Sequence, residues 1–278
     1  MLISLCVLHS LGCSQEGEPS SVQGVYEKNA GWDTSYFKTC FASGEVAEGV
    51  KKEKFKAYRD LDPKGFTTEE QKAISNIVKF NTMFRTPYLF THWGSCPKNP
   101  YEKGYKLVFL KGGKEHEWTR STQIGQTKKR EVNHRNKWYF HYSKVKSGAI
   151  VISSEKTCGL FSISPLQCLK GLALHEVGHF MGLRHTHVHP EAKNDPLCYL
   201  QGKTGEESEF FQYPEHKAKT TGFSKYDKKS VMNYCHLFSY FRGESFSGIK
   251  NLHFTQQDYV DIWTPFLKKE KDEFVEED

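Results

Sequence analysis

No stretch of the 278-residue chain approaches the ~18–20 consecutive apolar residues of a membrane-spanning helix, which excludes a polytopic helical membrane protein. None of the eight cysteines forms a C-x-x-C pair, which argues against a zinc ribbon or a thioredoxin-like redox centre. Collagen-like and heptad periodicities are missing, and no internal repeat is found. Apolar content is lean, at 37% with a mean hydropathy of −0.65. Charged residues at 26% and aromatics at 14% are nevertheless globular values, so the chain is not disordered as a whole. Its length suits one large domain or two small ones with a real core.

The 39 Lys and Arg exceed the 33 Asp and Glu by a formal +6, unevenly spread. Residues 102–146 hold twelve basic and four acidic side chains, a local +8, whereas Lys268 to Asp278 holds three Lys and six acidic residues, a local −3. The run Lys128-Lys129-Arg130 has no interleaved aromatics and fits no nucleic-acid motif. It reads as a solvated basic face, and no nucleic-acid partner is expected.

Met1 to Leu11 (MLISLCVLHSL) is apolar apart from Ser4, His9 and Ser10, and Gly12-Cys13-Ser14 follows. This fits a secretory h-region with small residues behind it, so residues 1–12 are expected to be a signal peptide. Ser10-Leu11-Gly12-Cys13 resembles a bacterial lipobox, in which Cys13 would become the lipid anchor. An ordinary cleaved signal and an apolar N-terminal strand are the alternatives. The expected location is outside the cytoplasm, either secreted or membrane-anchored in the periplasm, outer membrane or cell surface. Loss of Cys6 and lipidation of Cys13 would leave six cysteines, which allow 15 pairings. Cys158 with Cys168 and Cys198 with Cys235 are the local pairings, and Cys40 with Cys96 then remains.

Ser14 to Gly24 is a polar tether. A strand is expected at Lys54–Tyr58 and a turn at Asp62-Pro63-Lys64-Gly65. Thr68-Glu69-Glu70-Gln71 has a capping-box pattern, and Ile74, Ile77, Val78 and Phe84, with Phe80 beside them, mark a helix over 68–84. Tyr105–Leu110 and Gly148–Ser153 are β-rich. A second helix is expected over 166–183. A third begins at Thr255 with Asp258 as cap partner, an apolar stripe of Tyr259, Ile262, Trp263 and Phe266, and Pro265 as terminator or bend. The expected divisions are a tether and N-terminal segment over 13–50, an N-terminal subdomain over 51–186 and a C-terminal subdomain over 187–278.

Residues 175–185 read HEVGHFMGLRH. On a helix of ~3.6 residues per turn, His175 and His179 project from one face and can reach a single Zn²⁺. Glu176 is rotated by about 100°, beside the metal, where a general base would act. Gly182 can take a positive φ, end the helix and bring His185 back as third ligand. Three nitrogen ligands leave a position open for water, whose pKa a bound Zn²⁺ lowers to about 7. His187, His189, His216, His236 and His253 read as loop or surface histidines.

The pattern H-E-x-x-H-x-x-G-x-x-H is similar to that of metzincin peptidases. Ser230-Val231-Met232-Asn233-Tyr234, 47 residues after His185, resembles the Met-turn of that group. The likeness is closest to the astacin-like and serralysin-like branches, and Tyr226-Asp227-Lys228-Lys229-Ser230 resembles the astacin lead-in. One departure is Thr186, where astacins place Glu after the third His. The resemblance implies an α+β metzincin fold: a twisted mixed sheet with an active-site helix and a smaller C-terminal subdomain. It implies one catalytic zinc on His175, His179 and His185, support from Met232, and Tyr234 as oxyanion partner. It also implies substrate pairing with an antiparallel edge strand, for which Gly148–Ser153 is the candidate.

The expected function is that of a zinc endopeptidase using Glu176 as general base on protein or peptide substrates, as a monomer. The alternatives are a zinc hydrolase of cell-wall peptide amides and a zinc-bearing adhesion protein with little catalysis.

Overall fold

A computed structural model of the chain describes residues 24–27, 31–54, 60–113, 119–121, 127–134, 137–153, 164–186, 189, 191, 195, 221–224, 226–233 and 253–275. The centre is a five-stranded sheet. In chain order its strands are β2 (Tyr36–Ala42), β3 (Leu89–Ser95), β4 (Leu107–Lys111), β5 (Arg120–Ser121) and β8 (Gly148–Ile152), arranged β3-β2-β4-β8-β5. All neighbours run parallel except β5, which pairs antiparallel with β8 through Arg120↔Val151 and Ser121↔Ile150.

Parallel strands covered on both faces are apolar throughout, and β4 and β8 show the consequence. Leu107, Phe109, Ile150 and Ile152 enter one core cluster, while Val108, Leu110, Ala149 and Val151 enter the cluster on the other face. Helix α1 (Gly44–Lys54) covers the second face with Ala47 and Val50. The first face carries α2 (Thr68–Thr82) and α3 (Pro165–Phe180). The sheet layer therefore begins before residue 51, because β2 lies inside it and α1 lies on it.

Both helices on the first face start as their sequences dictate. The cap of α2 is Thr67, one residue earlier than the pattern at Thr68 suggests: Glu70 N–H donates to Thr67 Oγ1 (3.2 Å) and Thr67 N–H to Glu70 Oε2 (2.7 Å). The same Glu70 carboxylate receives Lys111 Nζ at 3.1 Å, which ties the start of α2 to the end of β4. For α3, Ser164 Oγ accepts from Gln167 N–H (3.2 Å) and Pro165 occupies the first turn.

Several expectations need correction. Lys54 closes α1 and begins no strand; residues 55–59 lie outside the described residues. Ile74 and Val78 are buried as expected, but Phe80 is 62% exposed and Phe84 94%. The helix stops at Thr82, and the inner stripe is completed by Asn81, whose Oδ1 accepts from Phe254 N–H (2.8 Å). Strand β8 is not the edge strand: β4 and β5 flank it and all five of its residues are buried, so the antiparallel edge is β5.

The third helix, α4 (Gln256–Val275), runs through Pro265 and does not end there. Its cap is reciprocal, with Thr255 N–H donating to Asp258 Oδ2 (2.9 Å) and Asp258 N–H to Thr255 Oγ1 (3.2 Å). Ile262 is buried, while Trp263 is exposed. Two further two-stranded sheets complete the described structure. The hairpin of β6 (Thr127–His134) and β7 (Lys137–Lys144) is antiparallel, and so is the pair of β1 (Gly24–Glu27) and β9 (Thr221–Ser224). Asp62 to Gly65 forms the expected turn, with Gly65 N–H on Asp62 O (3.0 Å).

Cys40 of β2 is bonded to Cys96, just beyond β3, across 56 residues. Cys168 is disulfide-bonded as well, while Cys158, Cys198 and Cys235 lie outside the described residues. Because the bridge closes a long loop in the unfolded chain, Cys40→Ala/Cys96→Ala should lower the unfolding free energy by roughly 2–4 kcal/mol. Urea titration measures this, and an unchanged midpoint at unchanged m would remove the bridge from the stabilising interactions.

Candidate metal centre

The second half of α3 is buried all round, from Gly171 to Phe180, which is unusual for a helix carrying three polar side chains in that stretch. His175, Glu176 and His179 are respectively 7%, 2% and 9% exposed. The helix ends through Gly182, at φ 108, with Gly182 N–H on His179 O (3.0 Å) and Leu183 N–H on Gly178 O (2.9 Å). These bonds satisfy the last carbonyls of the helix and reverse the chain. Trp32 Nε1 supplies a further donor, to Phe180 O at 2.8 Å.

The reversal returns His185 to the face of His175 and His179. Its Nε2 lies 3.1 Å from His175 Nε2 and 2.9 Å from His179 Nε2, and the ligand nitrogens of the three residues lie within 4.8 Å of one another. Zn–N bonds of ~2.0–2.1 Å at tetrahedral angles place ligand nitrogens ~3.3 Å apart, so the spacing fits one zinc ion.

The outer nitrogens decide which ring nitrogen is offered. His175 Nδ1–H donates to Val231 O (2.9 Å) and His179 Nδ1–H to Leu183 O (2.8 Å). A proton fixed on Nδ1 leaves the Nε2 lone pair facing the cluster. Burial pushes His175 down to about 4, against the raising effect of the Val231 carbonyl, so the imidazole is neutral near pH 7. His185 is only half-buried.

Val231 belongs to the turn Ser230–Asn233, closed by Asn233 N–H on Ser230 O (3.1 Å), and Met232 O accepts from Thr186 N–H (3.1 Å). Met232 is fully buried under α3. A Cβ added to Gly178 would come within 2.6 Å of the Met232 sulfur, so glycine is what allows the turn to approach the helix. Ser230 Oγ–H donates to Asp258 Oδ1 (2.7 Å) and accepts from Met232 N–H (3.0 Å), which joins the turn to the first turn of α4. Tyr226 reinforces it: its hydroxyl donates to Asp195 Oδ2 (3.0 Å) and accepts from Asn233 Nδ2 (3.1 Å).

The structure thus brings together His175, His179 and His185; Glu176 is buried next to His175 in α3, and Met232 lies against Gly178 of the same helix. Tyr234 lies outside the described residues, as do His187, His216 and His236. His189 is a buried loop histidine whose Nδ1 accepts from Glu191 N–H (3.0 Å), and His253 is exposed. Sequence reasoning misses the Ser230–Asp258 bond, although each residue belongs to a recognisable pattern, one to the turn motif and the other to a helix cap. It also misses Gly178, whose role is visible only from the turn's position.

The family profile described as Astacin, a peptidase family, matches residues 115–258. The chain belongs to the astacin family. It is a zinc-dependent metalloendopeptidase of the metzincin group, with the three-histidine zinc site of its family. Among solved structures, one titled "Structure of myroilysin" is similar at 14% identity and a TM-score of 0.41, over 87% of this chain and 98% of that one. No curated protein matches the chain. Among the described residues of this astacin-family chain, no helix is long and apolar enough to cross a membrane.

Two outcomes follow from the turn's position. Gly178→Ala must displace the Met232 sulfur and should cost about 1–3 kcal/mol, read as a lower Tm with and without zinc. Asp258 is pushed up to about 6 by burial, opposed by its hydrogen bonds from Ser230 and Thr255. Between pH ~4 and ~6 the native state then holds a proton that the unfolded chain has released, so stability falls as pH rises through that window. Asp258→Asn should flatten this part of the stability–pH curve, and an unaltered curve would exclude Asp258 as its source.

Proposed function

We propose that the chain cleaves extended protein substrates with Glu176 as general base and proton carrier. The observation that carries this reading is the convergence of three imidazoles beside a buried carboxylate, in a chain of the astacin family. His175, His179 and His185 would hold the zinc, which would supply Lewis acidity toward the scissile carbonyl and the attacking water. Glu176 follows His175 in α3 and is rotated off the ligand axis, so its carboxylate takes the attacking water's proton and returns it to the leaving amine. Tyr234, two residues after Met232, donates its phenolic hydrogen to the developing oxyanion. Met232 supports the ligands from beneath.

The substrate backbone aligns with β5, the antiparallel edge of the sheet among the described residues, beside α3. Residues 1–12 direct export and Cys13 carries the lipid anchor, with the mature protein acting as a monomer outside the cytoplasm. The Cys40–Cys96 disulfide supports an oxidising compartment. The C-terminal subdomain expected over 187–278 contributes the turn Ser230–Asn233 and α4 to the site.

Glu176→Gln should bind zinc with unchanged stoichiometry and lose at least about 10³-fold in kcat on a blocked peptide; wild-type turnover would sink the mechanism. Tyr234→Phe should lower kcat by about 10²-fold with little change in KM, since its bond forms only in the transition state. A rise in KM of that size with kcat unchanged would instead make Tyr234 a ground-state contact.

A further inference from the structure

Arg85, in the turn after α2, and one stripe of α4 line an exposed groove of about 700 Å³, with Tyr259, Val260, Trp263 and Leu267 in its walls. The spacing of 259, 260, 263 and 267 continues one helical face, and Trp263 and Leu267 are 36% and 48% exposed. Phe80, Met83 and Phe84, beside Arg85 in sequence, are 62%, 46% and 94% exposed.

Two features show that this face is built. First, residues 82–85 form a type II turn: Met83 is extended (φ −63, ψ 123), Phe84 has φ 65, and Arg85 N–H donates to Thr82 O (3.2 Å). That third position is one glycine or asparagine fills without strain, yet here it holds a bulky aromatic in full contact with water. Second, the turn holds Arg85 in place. Its carbonyl accepts from Trp263 Nε1 (2.9 Å), and its guanidinium lies over the Phe80 ring at 5.3 Å and the Tyr259 ring at 5.8 Å. Among the described residues no carboxylate forms an ion pair with Arg85. Its Nη1 donates a long bond to the Tyr259 hydroxyl (3.4 Å), and the guanidinium keeps its charge and its remaining N–H donors for a planar anion.

We propose that this groove is a docking site for a segment of a partner protein in which a carboxylate is flanked by aromatic or aliphatic side chains. The carboxylate meets Arg85, and the apolar neighbours lie on Trp263, Leu267 and Phe84. Charge complementarity selects the acid. An exposed cation beside a groove of aromatic and aliphatic side chains favours a peptide segment that carries both an acid and apolar groups. The site is independent of the peptidase chemistry, since none of its residues contacts the zinc ligands.

A displayed library of 12-residue peptides, panned on the full chain carrying Glu176→Gln so that nothing is cut, tests this directly. The expected enrichment is Asp or Glu adjacent to Phe, Leu, Ile or Trp. A synthetic copy of the enriched peptide should lose about ten-fold or more in affinity for Arg85→Gln and for the exposed-site variant Leu267→Ser, and none for His185→Ala. With Glu176 restored, Arg85→Gln should cleave a small blocked peptide as the parent does, which shows that the variant is folded. No enrichment, enriched peptides without an acid, or equal binding to Arg85→Gln and Leu267→Ser would each overturn the proposal. So would binding to phosphatidylglycerol vesicles that these two substitutions abolish while peptide binding is missing, which would make the face a membrane contact.

Discussion

Two backbone carbonyls, those of Val231 and Leu183, hold the rest of the site in order. Each takes the Nδ1 proton of a buried imidazole and thereby turns an Nε2 lone pair toward the point where His185 arrives. Helical spacing alone puts His175 and His179 on one face, but it leaves their tautomers and ring rotations open. The carbonyls settle both, and each comes from a piece of chain that must be positioned first: the reversal after Gly182 for one, the turn at Ser230–Asn233 for the other.

The placement of that turn draws in most of the remaining structure. It rests on the helix because Gly178 has no Cβ to meet the Met232 sulfur. Asp258 holds it from α4 through Ser230, and Tyr226 with Asp195 holds it through Asn233. The segment entering α4 is in turn fixed to α2, where Asn81 receives the Phe254 amide. The zinc helix therefore lies between the sheet on one side and a turn pinned by α4 on the other. Reduced mobility of a metal site comes from shells like these, which orient ligands without touching the ion.

Much of this is legible in the chain. The four-residue histidine spacing, the glycine three residues on and the third histidine are a local code, because an isolated helix and its reversal are enough to read it. The SVMNY motif is legible for a different reason, resemblance, and its partners are not. Ser230 and Asp258 are 28 residues apart, and no periodicity relates them. Phe84 misleads because the apolar spacing continues past Thr82, where the helix ends, and Phe80 misleads because it sits inside the helix on its exposed side; the polar Asn81, and not an aromatic, completes the buried stripe. Strand β8 reads as an edge candidate because apolar runs mark burial without saying how many neighbours a strand has. The short β5, with only two residues, has no pattern to detect.

The central claim, that the Nδ1–H tautomers fixed at His175 and His179 present their Nε2 atoms, together with that of His185, to one zinc, is tested most directly by combining two spectroscopies on one zinc-loaded sample of the full chain. Zinc X-ray absorption gives the neighbours, and long-range ¹H–¹⁵N correlation of the imidazoles gives the tautomers. The expected result is one zinc per chain, nitrogen neighbours at ~2.0–2.1 Å, and His175 and His179 both protonated at Nδ1 and bound through Nε2. Binding through Nδ1 of either residue, or zinc held as tightly after His185→Ala as before it, would contradict the claim.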